Sequence, residues 1–153
     1  MDAKILTVST STATREREDR SGPALAGALE ARGFVVVERK VVPDGIDEVS
    51  EAILDLATGF VGLVVTTGGT GFAPSDLTPE ATARVLERAA PGLAEAMRAA
   101  SPLGRLSRGL AGTVGACIVL NVPGSPAGAL ESFDAVADVL PHALDLLSGG
   151  RPH

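Results

Sequence analysis

Residues 64–80 read VVTTGGTGFAPSDLTPE, the most informative stretch of this 153-residue chain. An apolar run leads into a glycine-rich turn, then a single carboxylate, Asp76, and then a helix that a proline begins. Gly68, Gly69 and Gly71 carry no side chain, so the backbone can bend sharply there or approach a ligand closely. Backbone N–H groups in such a turn, together with the positive end of the next helix, favour an anion. Since a divalent cation can lie between phosphate and the Asp76 carboxylate, the stretch predicts a phosphate-plus-magnesium site.

Apolar, β-branched runs on either side of this stretch predict further strands. The predicted strands cover residues 3–9, 34–42, 60–66 and 116–122, and apolar residues at helical spacing predict helices between them. Because the connections are short, this alternation predicts parallel strands joined by right-handed crossovers. The expected fold class is α/β, a three-layer, doubly wound and mostly parallel sheet, in a single domain over residues 1–153.

Local signals predict where helices begin and end. Ser21 is expected to cap the first long helix. Thr78 and Pro79 are expected to begin another helix, whose apolar stripe reaches Ala89. Pro141 is expected to kink or split the C-terminal helical region.

The glycine turn matches neither of two familiar nucleotide fingerprints. A Walker loop closes with Gly-Lys-Ser/Thr, but the only lysines are Lys4 and Lys40, so a P-loop NTPase is not expected. The dinucleotide fingerprint GxGxxG needs a third glycine, and Pro74 occupies that region instead. The turn is therefore a phosphate loop of another type or a plain turn.

Three loops are expected to meet at one edge of the sheet. They cover residues 9–21, 67–78 and 123–128, and each follows the carboxyl end of a predicted parallel strand, where open α/β sheets bind ligands. Asp44 and Asp76 can converge at this edge, and one or two carboxylates with substrate oxygens and water suit Mg²⁺. Asp44 also fits an ordinary Asp-Gly turn.

Composition limits the range of partners. The net charge is −6 and aromatic residues make up 3%, without Trp or Tyr, so a nucleic-acid partner is not expected. No apolar run is long enough to cross a bilayer, and no membrane partner is expected. The single Cys117 lies in an apolar run and is expected to be a small buried side chain. The cytoplasm is the expected compartment, and neither His142 nor His153 is expected to act in catalysis.

Six motifs, in order, resemble the Mog-type molybdopterin adenylyltransferase family of molybdenum cofactor biosynthesis, to which the amino-terminal domain of gephyrin also belongs. They are DRSGPAL (19–25), VPDG (42–45), TTGGTGFAPSDLTPEAT (66–82), PGLAEAMRAAS (91–101), LSRGLAG (106–112) and NVPGSPAGALE (121–131). The resemblance covers nearly the whole chain, and TTGGTG followed by D-x-TP is its most specific part. It implies an enzyme that joins molybdopterin to AMP with ATP as co-substrate and Mg²⁺ as cofactor. The terminal phosphate of the pterin attacks the α-phosphate of ATP, and pyrophosphate leaves.

The resemblance also implies roles for individual residues. Asp44 and Asp76 are expected to be catalytic and to hold the metal. The expected substrate-binding residues are Ser9, Asp19, Arg20, Thr67, Gly68, Gly69, Thr70, Gly71, Ser75, Pro123, Gly124 and Ser125. A homotrimer is expected, with the downstream molybdenum insertase as a candidate protein partner.

One departure from the family pattern concerns charge. Many relatives carry Arg just before the aspartate that matches Asp76, but Ser75 stands here, and Arg15, Arg17 or Arg108 are the candidates to replace that positive charge. Arg108 also fits a plain surface charge. Two other functions stay open: a protein that binds molybdopterin without adenylylating it, and a nucleotide pyrophosphate hydrolase.

Overall fold

The computed structural model describes residues 1–151, so His153 lies outside the described residues. Its central layer is a six-stranded sheet in the order β2-β1-β3-β6-β5-β4. The strands are β1 (Asp2–Val8), β2 (Val35–Val42), β3 (Gly62–Thr67), β4 (Arg88–Ala89), β5 (Ala111–Val114) and β6 (Cys117–Val122). Strands β2, β1, β3 and β6 are parallel, whereas β5 and β4 extend the sheet with antiparallel pairs. The predicted mostly parallel sheet is confirmed.

Helices cover both faces of this sheet. They are α1 (Thr10–Ala13), α2 (Ser21–Ala31), α3 (Ile46–Ala57), α4 (Thr78–Val85), α5 (Pro91–Ala99), α6 (Pro126–Asp134) and α7 (Leu140–Leu147), with a 3-10 turn at Gly104–Leu106. Buried side chains of α2, α5, α6 and α7 form one apolar core, and those of α3 and α4 form another. Every residue of β3 and β6 is buried, as strands covered on both faces require. The three-layer, doubly wound fold is therefore confirmed.

The predicted cap of the first long helix is wrong. Ser21 is the first residue of α2 rather than its cap, and the preceding Arg20 makes no side-chain capping bond. Asp19 accepts instead, from the Gly22 N–H to Oδ1 at 2.9 Å. Ser and Asp are both common at helix starts, so the sequence alone does not decide between them.

The predicted apolar stripe that reaches Ala89 is also wrong. Helix α4 ends at Val85, and Arg88–Ala89 form the edge strand β4 against β5. Gly112 permits this pairing, because a Cβ built there would lie only 2.3 Å from the Arg88 carbonyl oxygen. The predicted break near Pro141 is confirmed, since α6 and α7 are separate and Pro141 lies in the first turn of α7.

Cys117 is fully buried, as expected, and its Sγ donates to the Phe60 carbonyl oxygen at 3.1 Å. Burial raises the pKa of the thiol, so little thiolate forms at neutral pH. We expect the native protein to react with a thiol-specific disulfide reagent at least about 100-fold more slowly than the same protein in denaturant. Absorbance of the released thiolate measures both rates, and equal rates would show that the thiol is accessible in the native fold.

None of the helices within residues 1–151 combines the length and the hydropathy needed to cross a membrane.

Candidate active site

A cleft of about 750 Å³ opens at the carboxyl ends of β1, β3 and β6. Helix α2 packs on one face of the sheet and α3 on the other, so the chain reverses its winding direction at β1 and β3. Open α/β sheets bind ligands at such a switch point. The predicted site residues that line the cleft are Ser9, Asp19, Arg20, Asp44, Thr67, Gly68, Gly69, Asp76, Gly124 and Ser125.

Four other predicted site residues lie beside the cleft rather than on its wall. Thr70 is buried, and Gly71 follows it in the loop. The Pro123 carbonyl oxygen accepts from the Thr67 hydroxyl at 2.7 Å, beneath the cleft floor. Ser75 is exposed and has no side-chain hydrogen bond within the described chain.

Gly68 brings the ends of three strands together. Its φ is +103°, and a Cβ built there would lie 2.2 Å from the Val8 carbonyl oxygen at the end of β1. Its N–H donates to the Val122 carbonyl oxygen of β6 at 3.1 Å. Gly124 completes the close approach, since its own Cβ would lie 3.2 Å from the Gly68 Cα. Gly68 is therefore required by the packing of the cleft floor, and its N–H is not available to a ligand.

The next part of the glycine loop does present free donors. The Thr78 hydroxyl, which is fully buried, donates to the Gly68 carbonyl oxygen at 2.9 Å, and the Thr78 N–H donates to that of Gly69 at 3.1 Å. Within residues 1–151, the N–H groups of Gly69, Thr70 and Gly71 have no protein acceptor. Thr78 thus binds both of these carbonyl groups of the loop, and consecutive N–H groups remain free. This is the arrangement that an anion site needs.

Asp76 is held by a short turn of its own loop. Its Oδ2 accepts from the Ala73 N–H at 2.9 Å, and its N–H donates to the Ala73 carbonyl oxygen at 2.9 Å. Oδ1 has no protein donor among the described residues. One oxygen of Asp76 therefore orients the side chain, and the other is available to a ligand.

Asp44 is held in the same way by the turn after β1. Its Oδ2 accepts from the Thr10 N–H at 3.1 Å and from the Thr10 hydroxyl at 2.9 Å. Its Oδ1 has no protein donor in the described part of the chain and lies 3.3 Å from the position of a Cβ built on Gly69. The free oxygen of Asp44 therefore lies against the glycine loop.

This pair of carboxylates fits a magnesium ion that also binds substrate. Asp44 and Asp76 line one cleft, and each keeps one oxygen without a protein donor. Residues 1–151 contain no group of three or more His, Cys, Asp or Glu side chains that could hold a metal. Mg²⁺ commonly takes one or two protein carboxylates and completes its shell with phosphate oxygens and water, so two suffice.

The Asp19 carboxylate is hydrogen-bonded within the protein, whereas the sequence predicts only a role in binding substrate. Its Oδ2 accepts from the hydroxyl of buried Thr7 at 2.9 Å, and its Oδ1 accepts from the Gly22 N–H. Ser9 and Ser125 likewise accept from backbone N–H groups, of Thr12 at 3.3 Å and of Gly128 at 3.2 Å. These side chains fix the loops that carry the cleft.

Positive charge at the cleft comes from Arg17 and Arg20. Both line the cleft and make no ion pair among the described residues. Arg15 does not line the cleft; its φ of +62° places it in the left-handed region. The sequence predicts Arg15, Arg17 and Arg108 as candidates to replace the positive charge missing at position 75. Only the fold shows that Arg17 lines the cleft and Arg15 does not.

Arg108, the third candidate, is not a plain surface charge, because its guanidinium is bound by other groups of the protein. Its guanidinium pairs with Glu80 and also donates to the carbonyl oxygens of Gly71 at 2.8 Å and Asp76 at 2.7 Å. The hydrogen bond from Arg108 lowers the pKa of Glu80, and Glu80 in turn raises the pKa of Arg108. Sequence analysis missed this contact because 37 residues separate Arg108 from Gly71.

Comparison with known proteins identifies the family of this chain. Residues 4–142 match the family described as "probable molybdopterin binding domain". The chain belongs to that family. The predicted resemblance is confirmed.

Solved and curated relatives agree with this membership. The crystal structure of the molybdopterin biosynthesis enzyme MoaB from Thermus thermophilus aligns with a TM-score of 0.92 at 44% identity, covering 99% of this chain and 98% of that one. The molybdopterin adenylyltransferase of Helicobacter pylori strain 26695 is 36% identical over 139 residues, which are 86% of this chain and 79% of that protein.

A third relative is much longer than this chain. The molybdenum cofactor synthesis protein cinnamon of Drosophila melanogaster is 36% identical over 149 residues. That alignment covers 94% of this chain but only 25% of the Drosophila protein.

Proposed function

We propose that this chain is a molybdopterin adenylyltransferase of molybdenum cofactor biosynthesis. It transfers AMP from ATP to the terminal phosphate of molybdopterin. A phosphate oxygen of the pterin attacks the α-phosphorus of ATP, the bond from that phosphorus to the bridging oxygen breaks, and pyrophosphate leaves. The observation that supports it best combines two carboxylates that line one cleft, each with one oxygen free of protein donors, with three consecutive free N–H groups. The N–H of Gly69 belongs to the cleft wall, and those of Thr70 and Gly71 lie beside it.

Each part of the cleft has a role in this transfer. Asp44 and Asp76 would hold the metal, which when bound would neutralise charge on the phosphates. The N–H groups of Gly69, Thr70 and Gly71 bind phosphate oxygens from the other side. Arg17 and Arg20 attract the anionic substrates at the cleft mouth. Because no enzyme group needs to form a bond to phosphorus, positioning and charge neutralisation account for most of the rate.

The other predicted substrate-binding residues belong to the same surface. Ser9, Thr67, Gly124 and Ser125 complete the walls and floor. By the family resemblance, the loop that carries Asp19 and Arg20 lies on the pterin or phosphate side. Gly68 and Pro123 support the cleft floor through hydrogen bonds of their backbone groups, and the exposed Ser75 hydroxyl is free to contact substrate.

Pyrophosphate release is the deciding measurement. The purified chain is incubated with molybdopterin, ATP and Mg²⁺, and pyrophosphate and adenylylated pterin are quantified. Both products in equal amounts are expected. Tight pterin binding without pyrophosphate would favour a binding protein, for which Ser75, in place of a basic residue, is the specific observation. Release of AMP from a dinucleotide without pterin would favour the hydrolase.

Asp44→Asn is expected to raise the Mg²⁺ concentration for half-maximal rate by about tenfold. The amide keeps an oxygen to accept from Thr10 but loses the negative charge that faces the glycine loop. The measurement is a magnesium titration of pyrophosphate release at saturating ATP. A titration curve identical to that of the unmodified protein would exclude Asp44 from the metal site.

The assembly and compartment follow from the family resemblance. The active form is a homotrimer in the cytoplasm, and light scattering of the eluted protein tests for three times the 15.4 kDa chain mass. We infer from the family resemblance alone that the downstream molybdenum insertase is the partner that receives the product.

A further inference from the structure

Arg108 concentrates its contacts on one short segment of the chain. Its backbone N–H donates to the Thr70 carbonyl oxygen at 2.8 Å. Its Nε donates to the Gly71 carbonyl oxygen at 2.8 Å, and an Nη donates to that of Asp76 at 2.7 Å. The guanidinium carbon lies 5.8 Å from the ring centre of Phe72. All of these partners belong to the loop between β3 and α4.

Residues 71–76 of this loop make no other hydrogen bond to the rest of the described chain. Phe72 is 72% exposed, and residues 73–75 are exposed as well. Within the loop, the turn between Ala73 and Asp76 is closed by its own hydrogen bonds but is not anchored by them to the sheet. The guanidinium of Arg108 therefore holds both ends of the span from Gly71 to Asp76. Because its N–H donors form a rigid planar fork, it fixes the two carbonyl groups relative to each other.

Glu80 fixes the guanidinium from the first turn of α4. It accepts from both Nη atoms of Arg108, one of them at 3.4 Å. A simple exposed ion pair adds little to the stability of a fold. Here the Glu80 pair has a second consequence, because it orients the same fork that binds the carbonyls of Gly71 and Asp76.

We propose that Arg108 is a positioning residue that sets the active geometry of the loop without touching substrate. Through the carbonyl oxygens of Gly71 and Asp76, it aligns the free Oδ1 of Asp76 with the free N–H groups of the loop. Cation and phosphate then bind as a unit. This inference rests on the proposed function for its catalytic meaning. Its physical content is that the affinity for a divalent cation depends on Arg108.

The test compares two arginines of the same segment. Arg108→Gln removes the fork, whereas Arg105→Gln is the matched control, since Arg105 is exposed and donates only to the Pro102 carbonyl oxygen at 3.1 Å. Mn²⁺ is the probe, and loss of its free paramagnetic resonance signal reports binding to each variant, measured without ATP because the nucleotide itself binds Mn²⁺. We expect Arg108→Gln to weaken Mn²⁺ binding about tenfold and Arg105→Gln to leave it unchanged.

Two further variants separate positioning from general loss of structure. In Arg108→Ala, added guanidinium ion is expected to restore Mn²⁺ affinity at least partly, while an equal concentration of ammonium does not. Glu80→Gln is expected to weaken binding about threefold, and its effect is expected not to add to that of Arg108→Gln. Circular dichroism of each variant tests whether it keeps the fold, and we expect spectra equal to that of the unmodified protein.

The outcomes distinguish this inference from the proposed function. Mn²⁺ affinity in Arg108→Gln equal to that of the unmodified protein overturns the role of Arg108, even if pyrophosphate is released. Absence of Mn²⁺ binding by the unmodified protein overturns it as well. Weakened Mn²⁺ binding without any pyrophosphate release by the unmodified protein supports Arg108 and counts against the transferase.

Discussion

Asp76→Asn is expected to lower the rate of pyrophosphate release by about 10³-fold while the protein stays folded. The change removes one negative charge at the oxygen that has no protein donor. The asparagine side-chain oxygen can still accept from the Ala73 N–H, so the turn that carries it is retained. The rate is measured at saturating ATP and Mg²⁺, and the thermal unfolding midpoint is measured on the same sample.

Asp138→Asn is the matched control for this variant. Asp138 is exposed, lies away from the cleft and makes no ion pair within the described residues. We expect its rate and unfolding midpoint to equal those of the unmodified protein. Normal turnover by Asp76→Asn would exclude Asp76 from the mechanism, and a large drop in its unfolding midpoint would assign it a structural role.

Gly68→Ala is expected to lower the free energy of unfolding by about 3 kcal/mol or more. Two costs combine at this position. An L-residue at a φ of +103° is strained, and the new Cβ would lie 2.2 Å from the Val8 carbonyl oxygen. Because that oxygen belongs to the backbone of β1, the clash is relieved only by separating the strand ends. Urea titration followed by circular dichroism measures the loss.

Gly59→Ala isolates the first of these costs. Gly59 also has a positive φ, +66°, but a Cβ built there has no heavy atom within 4 Å. We expect a loss of only about 1 kcal/mol from backbone strain. Equal losses in the two variants would show that the close approach at Gly68 is relaxed without cost and does not define the cleft floor.

The fold class was predictable because buried strands carry a strong local signal. β3 and β6 are continuous apolar runs, and the helices between strands show helical spacing. The two errors, at Ser21 and at Ala89, both concern element ends. There a few residues satisfy two local patterns, and pairing with a distant segment such as Gly112 decides between them.

The convergence of Asp44 and Asp76 was predictable for a different reason. In a parallel sheet the carboxyl ends of all strands lie at one edge, so the loop that follows a strand can be placed there from strand order alone. The same argument placed Gly124 and Ser125 beside the glycine loop. Strand order does not predict which side-chain atoms already have hydrogen-bond partners within the protein. Asp19 is an example, because both of its carboxylate oxygens accept protein hydrogen bonds.

For residues 64–80, the sequence by itself determined the strand, the glycine turn, the carboxylate and the start of the helix, because each depends on local conformational preference and apolar patterning. Only the tertiary structure decided which backbone N–H groups of the loop bind protein acceptors and which stay free for a ligand. Gly68 gives its N–H to β6, the next three residues keep theirs free, and Arg108 binds the loop from outside. These contacts join residues 32 to 54 positions apart. No local pattern encodes them, because they depend on where the packed sheet brings distant backbone atoms together.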